Sequence, residues 1–184
     1  MADAIWLDED YLLENSPVAN NVDIKVITPN IIYCQDVYLK PLLGSDLFDV
    51  IQAEINAQTY TARITTLLND HIYKVLLNYT LAESAHDLAI RWMNKGLMQK
   101  SSDNSQPVSA DDIKLTRDRY KNRAEIFEAR ARNYLLENES TYPEYNTGNS
   151  NIDDIQPNNY SFKTGIYLGN CDDDIDCDYR KRNV

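Results

Sequence analysis

Apolar side chains recur at helical spacing along most of the chain, and two runs are long. The first run steps by alternating four and three residues and predicts a helix over about 70–93. Its members are Leu68, Ile72, Val75, Tyr79, Ala82, His86, Ala89 and Met93. Further leucines widen this stripe almost all round, which is typical of a helix in the middle of a bundle.

The second run recurs every seven residues and predicts a helix over about 110–138. Its members are Ile113, Tyr120, Phe127 and Tyr134, with Ala124 and Ala131 between them. Ser109 is a suitable N-cap, and the acidic residues after it suit the positive end of the helix dipole. The two alanines would let this helix approach a neighbour closely.

Shorter apolar patterns predict the remaining elements. Helices are expected over about 5–14 and from Thr28-Pro29 onward, with an interruption or kink at Pro41. Ser45 would cap another helix over about 46–58. Alternation from Val22 to Val26 allows a brief strand or extended arm. The fold class predicted is therefore all-α, a bundle of four to five helices.

Composition divides the chain into three parts. Residues 1–28 form an acidic leader, and residues 29–138 form the helical core. A polar segment at 97–108 predicts a loop or hairpin insertion in that core. Residues 139–184, rich in Asn, Asp, Tyr, Pro and Gly, predict an extended acidic C-terminal arm.

Charge and composition exclude several classes. The chain carries 18 basic and 29 acidic residues, a formal net charge of −11, which disfavours a general nucleic-acid binder or a protein bound to an anionic membrane. No apolar run approaches the roughly 18 residues that a membrane span needs. The acidic N-terminus lacks the pattern of a secretion signal. Three cysteines are too few for a disulfide scaffold and indicate a reducing cytoplasm.

The candidate chemistry is sparse. Asp172, Asp174 and Asp176 match the first oxygens of a calcium loop, but Cys177 and Asn183 stand where glycine and glutamate are needed. A metal-dependent hydrolase built on these aspartates is a weak alternative, and the roles of Cys171 and Cys177 stay open. His71 and His86 lie fifteen residues apart on one helix, too far to share a ligand, and His86 is expected to be a buried core residue. We therefore expect no catalytic residue, no cofactor and no metal.

Two sets of residues are candidates for subunit or partner contacts. One is the locally basic stretch of the second long helix, which could meet an acidic surface of the next copy: Lys114, Arg117, Arg119, Lys121 and Arg123. The other comprises aromatic and apolar residues of the arm: Tyr142, Tyr145, Tyr160, Phe162, Ile166 and Tyr167. A salt-bridged solvent face and half-buried tyrosines are the alternative interpretations.

Three short motifs resemble a known family. Tyr38–Phe48 (YLKPLLGSDLF) resembles the opening of small helical head-completion proteins of tailed phages. Their central loop is similar to Asn94-Lys95-Gly96 together with residues 99–105 (QKSSDNS). The last motif of the family resembles residues 133–138 (NYLLEN) and 142–145 (YPEY). The resemblance covers roughly residues 29–146. It is strongest to the neck proteins of phages of Bacteroides and of crAss-like phages.

That resemblance implies a function. Such proteins are head-to-tail connectors, or adaptors, that form a ring beneath the portal. It implies a non-enzymatic virion protein, made in the host cytoplasm and located in the phage neck. The implied partners are further copies in a twelvefold ring, the portal protein, other neck or tail ring proteins, and genomic DNA that passes without specific binding. An acidic DNA mimic that binds a nucleic-acid enzyme is the alternative.

Overall fold

A computed structural model describes residues 4–18, 22–93, 96–99, 108–146 and 155–158. The fold is all-α apart from one small hairpin, as predicted. Helix α6 (Tyr73–Ala89) is the central element, and nine of its residues are buried. It continues without a break from α5 (Ala62–Leu67) through a π-helical segment, Leu68–Ile72. A helix this apolar must be covered on several sides, which fixes the bundle around it.

One side of α6 is covered by a helical run from residue 28 to residue 43. It comprises α2 (Thr28–Cys34), a π-helical segment (Gln35–Leu39) and α3 (Lys40–Leu43). The helical run does not end at Pro41; the interruption or kink predicted there corresponds to a departure from α-helix just before it, in the π-helical segment Gln35–Leu39. The widened π turn ends with the Lys40 N–H donating to the Gln35 carbonyl, and the proline then falls in the first turn of α3, where its missing N–H costs little.

Helix α4 (Ser45–Ala57) confirms the predicted helix to within one residue, but the predicted cap is wrong: Gly44 is at the N-cap position and Ser45 is the first residue of the helix, with no capping bond from its side chain. Helix α1 (Glu9–Asn15) starts later than predicted because Asp8, which accepts a hydrogen bond from the Glu9 N–H, caps it. The predicted strand at 22–26 is wrong. Ile24–Val26 form a 3₁₀ turn, and Asp23 caps it through the N–H of Lys25.

The leader shares the core of the bundle. Trp6 and Leu7 are buried, and the Trp6 ring stacks on Phe48 with centroids 4.7 Å apart. Its indole N–H donates to Gln52 (2.6 Å), and its backbone N–H donates to Gln35 (3.0 Å). Residues before α1 therefore hold α1 against α4 and the π segment.

The predicted helix over 70–93 ends four residues early. Ile90–Met93 form strand β1, which pairs antiparallel with β2 (Gly96–Gln99), so that Met93 lies opposite Gly96. The β-branched and aromatic residues Ile90 and Trp92 favour this extended backbone over helix. The insertion is thus a hairpin that begins at residue 90, and Gly96 is the first residue of its second strand.

Helix α7 (Ala110–Glu137) matches the second predicted helix. Ser109 caps it by accepting from the Asp112 N–H, as the sequence indicates. Its 28 residues span about 42 Å. Ala124, Ala131 and Leu135 are fully buried, and α7 lies antiparallel along α6. The alanines thus allow the close approach that the heptad pattern predicts.

The chain after α7 turns back onto the bundle. Tyr142 and Tyr145 are each 1% exposed, and Tyr142 donates its hydroxyl to the Arg63 carbonyl. The Arg63 guanidinium forms a two-pronged ion pair with Glu144 (2.7 and 2.8 Å), which lowers the pKa of that carboxyl. This corner closes the bundle at the C-terminal end of α7.

One half-buried ring contact makes stability depend on pH. The His71 ring stacks on Tyr134, with centroids 4.2 Å apart. Burial lowers the pKa of His71 below its ordinary 6.5; Lys74 acts in the same direction and Asp70 opposes them. As the pH falls below about 6.5, His71 takes up a proton more readily in the unfolded chain than in the folded one. The contribution of His71 to stability is therefore present above about pH 6.5 and is lost below it.

We expect His71→Phe, which keeps the aromatic stack, to remove this contribution. Urea unfolding at pH 7.5 and 5.5 should show a smaller loss of unfolding free energy in His71→Phe than in the wild type. His86→Asn, which changes the exposed histidine, is the control and should retain the wild-type loss. Equal losses in the wild type and in His71→Phe would contradict the role assigned to His71.

Candidate interaction surface

Helix α7 has one buried face and one face open to solvent. On the buried side, Tyr79 of α6 donates its hydroxyl to Glu128 (2.5 Å), and Arg132 donates to the same carboxylate (2.6 Å). Burial and Glu128 raise the pKa of Tyr79 far above its ordinary value, so the phenol stays protonated and donates. These bonds fix the rotation of α7 about its own axis. The residues on the opposite face of α7 therefore point toward solvent.

The five predicted basic contact residues are all exposed, but they do not form one patch. Lys114, Arg117 and Lys121 follow helical spacing along one flank of α7. Arg119 and Arg123, four residues apart, lie on the other flank. The sequence stretch 114–123 therefore presents two basic edges with a ridge between them.

The first flank borders a groove of about 480 Å³ between α2, α6 and α7. Arg117 approaches Glu83 at 3.6 Å, and Glu83 also accepts from the Tyr38 hydroxyl (2.8 Å). Tyr38 stacks on Tyr79 with centroids 3.9 Å apart. Arg117 therefore already forms an ion pair within the chain, whereas Lys114 and Lys121 have no ion-pair partner among the described residues.

The ridge and the second flank are open. Leu115 is 70% exposed and Ile126 is 55% exposed, and their spacing of eleven residues places them on one line along the helix. Arg123 lies over the Tyr120 ring at 5.4 Å, which extends its stem along the surface. The outer face of α7 thus combines an apolar ridge and basic edges with the exposed carboxylates Asp118 and Glu125. Its cations and apolar residues suit an acidic partner that also offers apolar surface.

An acidic surface with apolar residues lies on another side of the molecule. A groove of about 630 Å³ runs beside the leader and is bordered by Asp8, Glu9 and the exposed residues Ile5 and Tyr60. Asp10 and Glu14 of α1 add two more exposed carboxylates. Tyr11 of α1 packs on Tyr73 of α6, whereas α7 packs on Tyr79. Six residues along a helix turn the side chain by about 120°, so the two surfaces face different directions.

Comparison with known families places the chain. A family model described as a family of unknown function (DUF6712) matches residues 39–155, well over half of the sequence. The chain belongs to the DUF6712 family. No curated protein and no solved structure matches it. The DUF6712 match runs from the end of the first π segment to Ile155, so it includes α7 and its basic flanks and leaves the leader outside.

The predicted aromatic contact residues of this DUF6712 protein divide into two groups. Tyr142 and Tyr145 lie inside the core, so they are not available as surface contacts, and the prediction is corrected for these two. Their burial follows from the turn at Pro143: Tyr142 contacts Arg63 of α5 and Tyr134 of α7, and the Pro143–Asn146 turn that carries Tyr145 packs against α4. Tyr160, Phe162, Ile166 and Tyr167 lie outside the described residues, as do Cys171, Cys177 and the aspartates between them.

The remaining reactive groups show no shared site in the described part of the chain. His86 is exposed, not buried as expected, because the end of α6 projects beyond the packed core. Burial raises the pKa of the Cys34 thiol to about 12, which makes it a poor nucleophile. Within the described ranges, no group of three His, Cys, Asp or Glu side chains is placed to hold a metal ion. None of the helices in these ranges is long and apolar enough to cross a membrane.

Proposed function

We propose that this protein is a structural virion protein, a head-to-tail adaptor that forms a ring below the portal in the neck of a tailed phage. The observation that carries the proposal is the pair of open surfaces on different sides of one chain: the apolar ridge of α7 with its basic flanks, and the acidic leader groove. A contact between two unlike surfaces is heterologous, and such contacts repeat from copy to copy until a ring closes. The motif resemblance supports the same conclusion.

The resembling motifs support the proposal through the fold. In the segment 38–48, Leu39, Leu42, Leu43 and Leu47 are fully or almost fully buried, and Gly44 makes the turn between α3 and α4. The closing motif holds Tyr142 and Tyr145 in the core. These residues keep the shape of the subunit, and a subunit whose role is shape needs no catalytic group.

The charge of the chain suits a channel for DNA. Each copy carries a formal net charge of −11. A ring of twelve copies, the number implied by the resemblance, would carry twelve times that negative charge. DNA held tightly requires cationic groups that displace its counterions. If the basic edges of α7 are covered by neighbouring copies, the ring lumen repels DNA and lets it pass without specific binding.

The arrangement of charge favours the adaptor over an acidic DNA mimic. A mimic requires one dense surface of carboxylates. The exposed carboxylates of α1 and the residue before it form one local acidic surface, but on α7 exposed acidic residues such as Asp118 and Glu125 alternate with the exposed cations, so such a surface does not continue onto α7.

The assembly state tests the proposal directly. Mass photometry and negative-stain electron microscopy of the purified protein, alone and with its portal, should show closed rings, and the rings should bind the portal end-on. A chain that stays monomeric at micromolar concentration, both alone and with the portal, would contradict the adaptor function.

A further inference from the structure

The corner between α3 and α4 holds a short extended segment from far along the chain. Residues 155–158 (Ile-Gln-Pro-Asn) lie against Pro41, Gly44 and Ser45. The Ser45 N–H donates to the Ile155 carbonyl (2.8 Å), and the Ile155 N–H donates to the Ser45 hydroxyl (2.9 Å). The Asn158 N–H donates to the Pro41 carbonyl (2.9 Å). All three bonds involve the backbone of the segment, and its side chains remain mostly exposed.

Gly44 shapes this corner for a proline. Its φ of +76° lies in the left-handed region that residues with a Cβ avoid. A Cβ placed on Gly44 would lie 2.7 Å from Cδ of Pro157, closer than non-bonded carbons can approach. The missing side chain therefore both permits the turn into α4 and leaves room for the pyrrolidine ring.

The segment also supplies hydrogen-bond partners for this corner. The Ser45 N–H and hydroxyl lie at the start of α4, where backbone donors lack partners within the helix. With the segment in place Ser45 is only 7% exposed, so residues 155–158 occupy the space through which water would otherwise reach these two groups. Ile155 thus replaces solvent at a helix end by accepting from the Ser45 N–H and donating to its hydroxyl.

We infer that the α3–α4 corner is a docking site for an extended, proline-containing peptide, and that its ligand is the chain's own segment 155–158. The site recognises two backbone N–H groups, one carbonyl and one proline ring. Docking holds residues 155–158 at a fixed point on the bundle, close to Glu144 and Tyr145. The inference does not depend on the adaptor function.

The experiment separates the site from its ligand. Ile155→Pro/Asn158→Pro removes both N–H donors of the segment and leaves Pro41, Gly44 and Ser45 intact. A fluorescent peptide of residues 151–160 is titrated into the full-length protein and followed by anisotropy. In the wild type the tethered segment competes at an effective concentration near millimolar, so added peptide binds poorly. The double-proline variant should bind the peptide at least tenfold more tightly.

Two controls make the result decisive. Gly44→Ala added to the double-proline variant should abolish peptide binding, and a peptide with Pro157→Ala should bind the double-proline variant more weakly. Circular dichroism verifies that each variant keeps its helical content. Equal binding of the peptide to the wild type and to the folded double-proline variant would overturn the inference, because it would show that the chain's own segment does not compete for the site. Absence of binding to either protein would also overturn it, because the corner would then not bind this peptide.

Discussion

Reversing two charges on the open flank of α7, by Arg119→Glu/Arg123→Glu, is expected to abolish self-assembly while the chain stays folded. Both side chains are exposed, and substitutions at such positions usually change stability by less than about 0.5 kcal/mol. Placing glutamates against Asp8, Glu9 and the rest of the acidic leader groove would juxtapose like charges, which costs several kcal/mol at an interface. Under the proposed assembly, mass photometry should record rings for the wild type and monomers for the double variant.

A matched variant and a mixing test define this prediction further. Lys74→Glu, a charge reversal at an exposed lysine outside both surfaces, should leave assembly intact. Asp8→Lys/Glu9→Lys should also block assembly by itself. Mixed in equal amounts, the α7 variant and the leader variant should assemble again, because each interface then joins opposite charges.

The mixing result separates the interface from the function. Recovered assembly supports a heterologous contact between α7 and the leader groove. Rings that form without sensitivity to either pair of substitutions would reject this interface while leaving the adaptor function open. Raised salt should weaken the wild-type rings, since partly exposed charges are screened over about 8 Å at physiological ionic strength.

Enlarging the buried alanines of α7 is expected to produce the greatest loss of stability. Ala124 and Ala131 have no exposed surface and lie where α7 approaches α6. Leucine at either position forces extra methylenes into a packed contact, which typically costs about 1–3 kcal/mol. The two sites are about 10 Å apart along the helix, so their costs should nearly add. Ala124→Leu/Ala131→Leu should therefore remove a large share of a stability that is usually about 5–15 kcal/mol.

Ala129→Leu is the matched control because it makes the same change on the same helix at an exposed position. Urea unfolding followed by circular dichroism should give a midpoint near that of the wild type for Ala129→Leu and a much lower one for the double variant. If Ala131→Leu were as stable as Ala129→Leu, α6 and α7 would not be packed as closely as described.

The sequence was most informative where a pattern repeats over several turns. The heptad of Ile113, Tyr120, Phe127 and Tyr134, together with Ser109 as cap, predicted α7 almost to the residue. Periodicity over a long helix averages out local exceptions, so the buried face and its alanines could be read directly. The fold class followed from the same cause.

Local patterns failed where a few residues had two comparable options. The stripe ending at Met93 continues at helical spacing, yet Ile90–Met93 pair with Gly96–Gln99. Val22 to Val26 alternate like a strand, yet Asp23 caps a 3₁₀ turn there. In both places, a capping side chain or a pairing partner decided between backbone states that differ little in free energy.

The sequence alone determined that this chain is an acidic helical bundle in which the second long helix, 110–138, carries a locally basic stretch. It did so because burial imposes a period on residues that are close in sequence. The tertiary structure alone decided that the leader's Trp6 belongs to the core, that Tyr142 and Tyr145 are internal, and that residues 155–158 reach Gly44. These contacts join residues 29 to 113 positions apart, and no local period records which distant surface a side chain or backbone segment will meet.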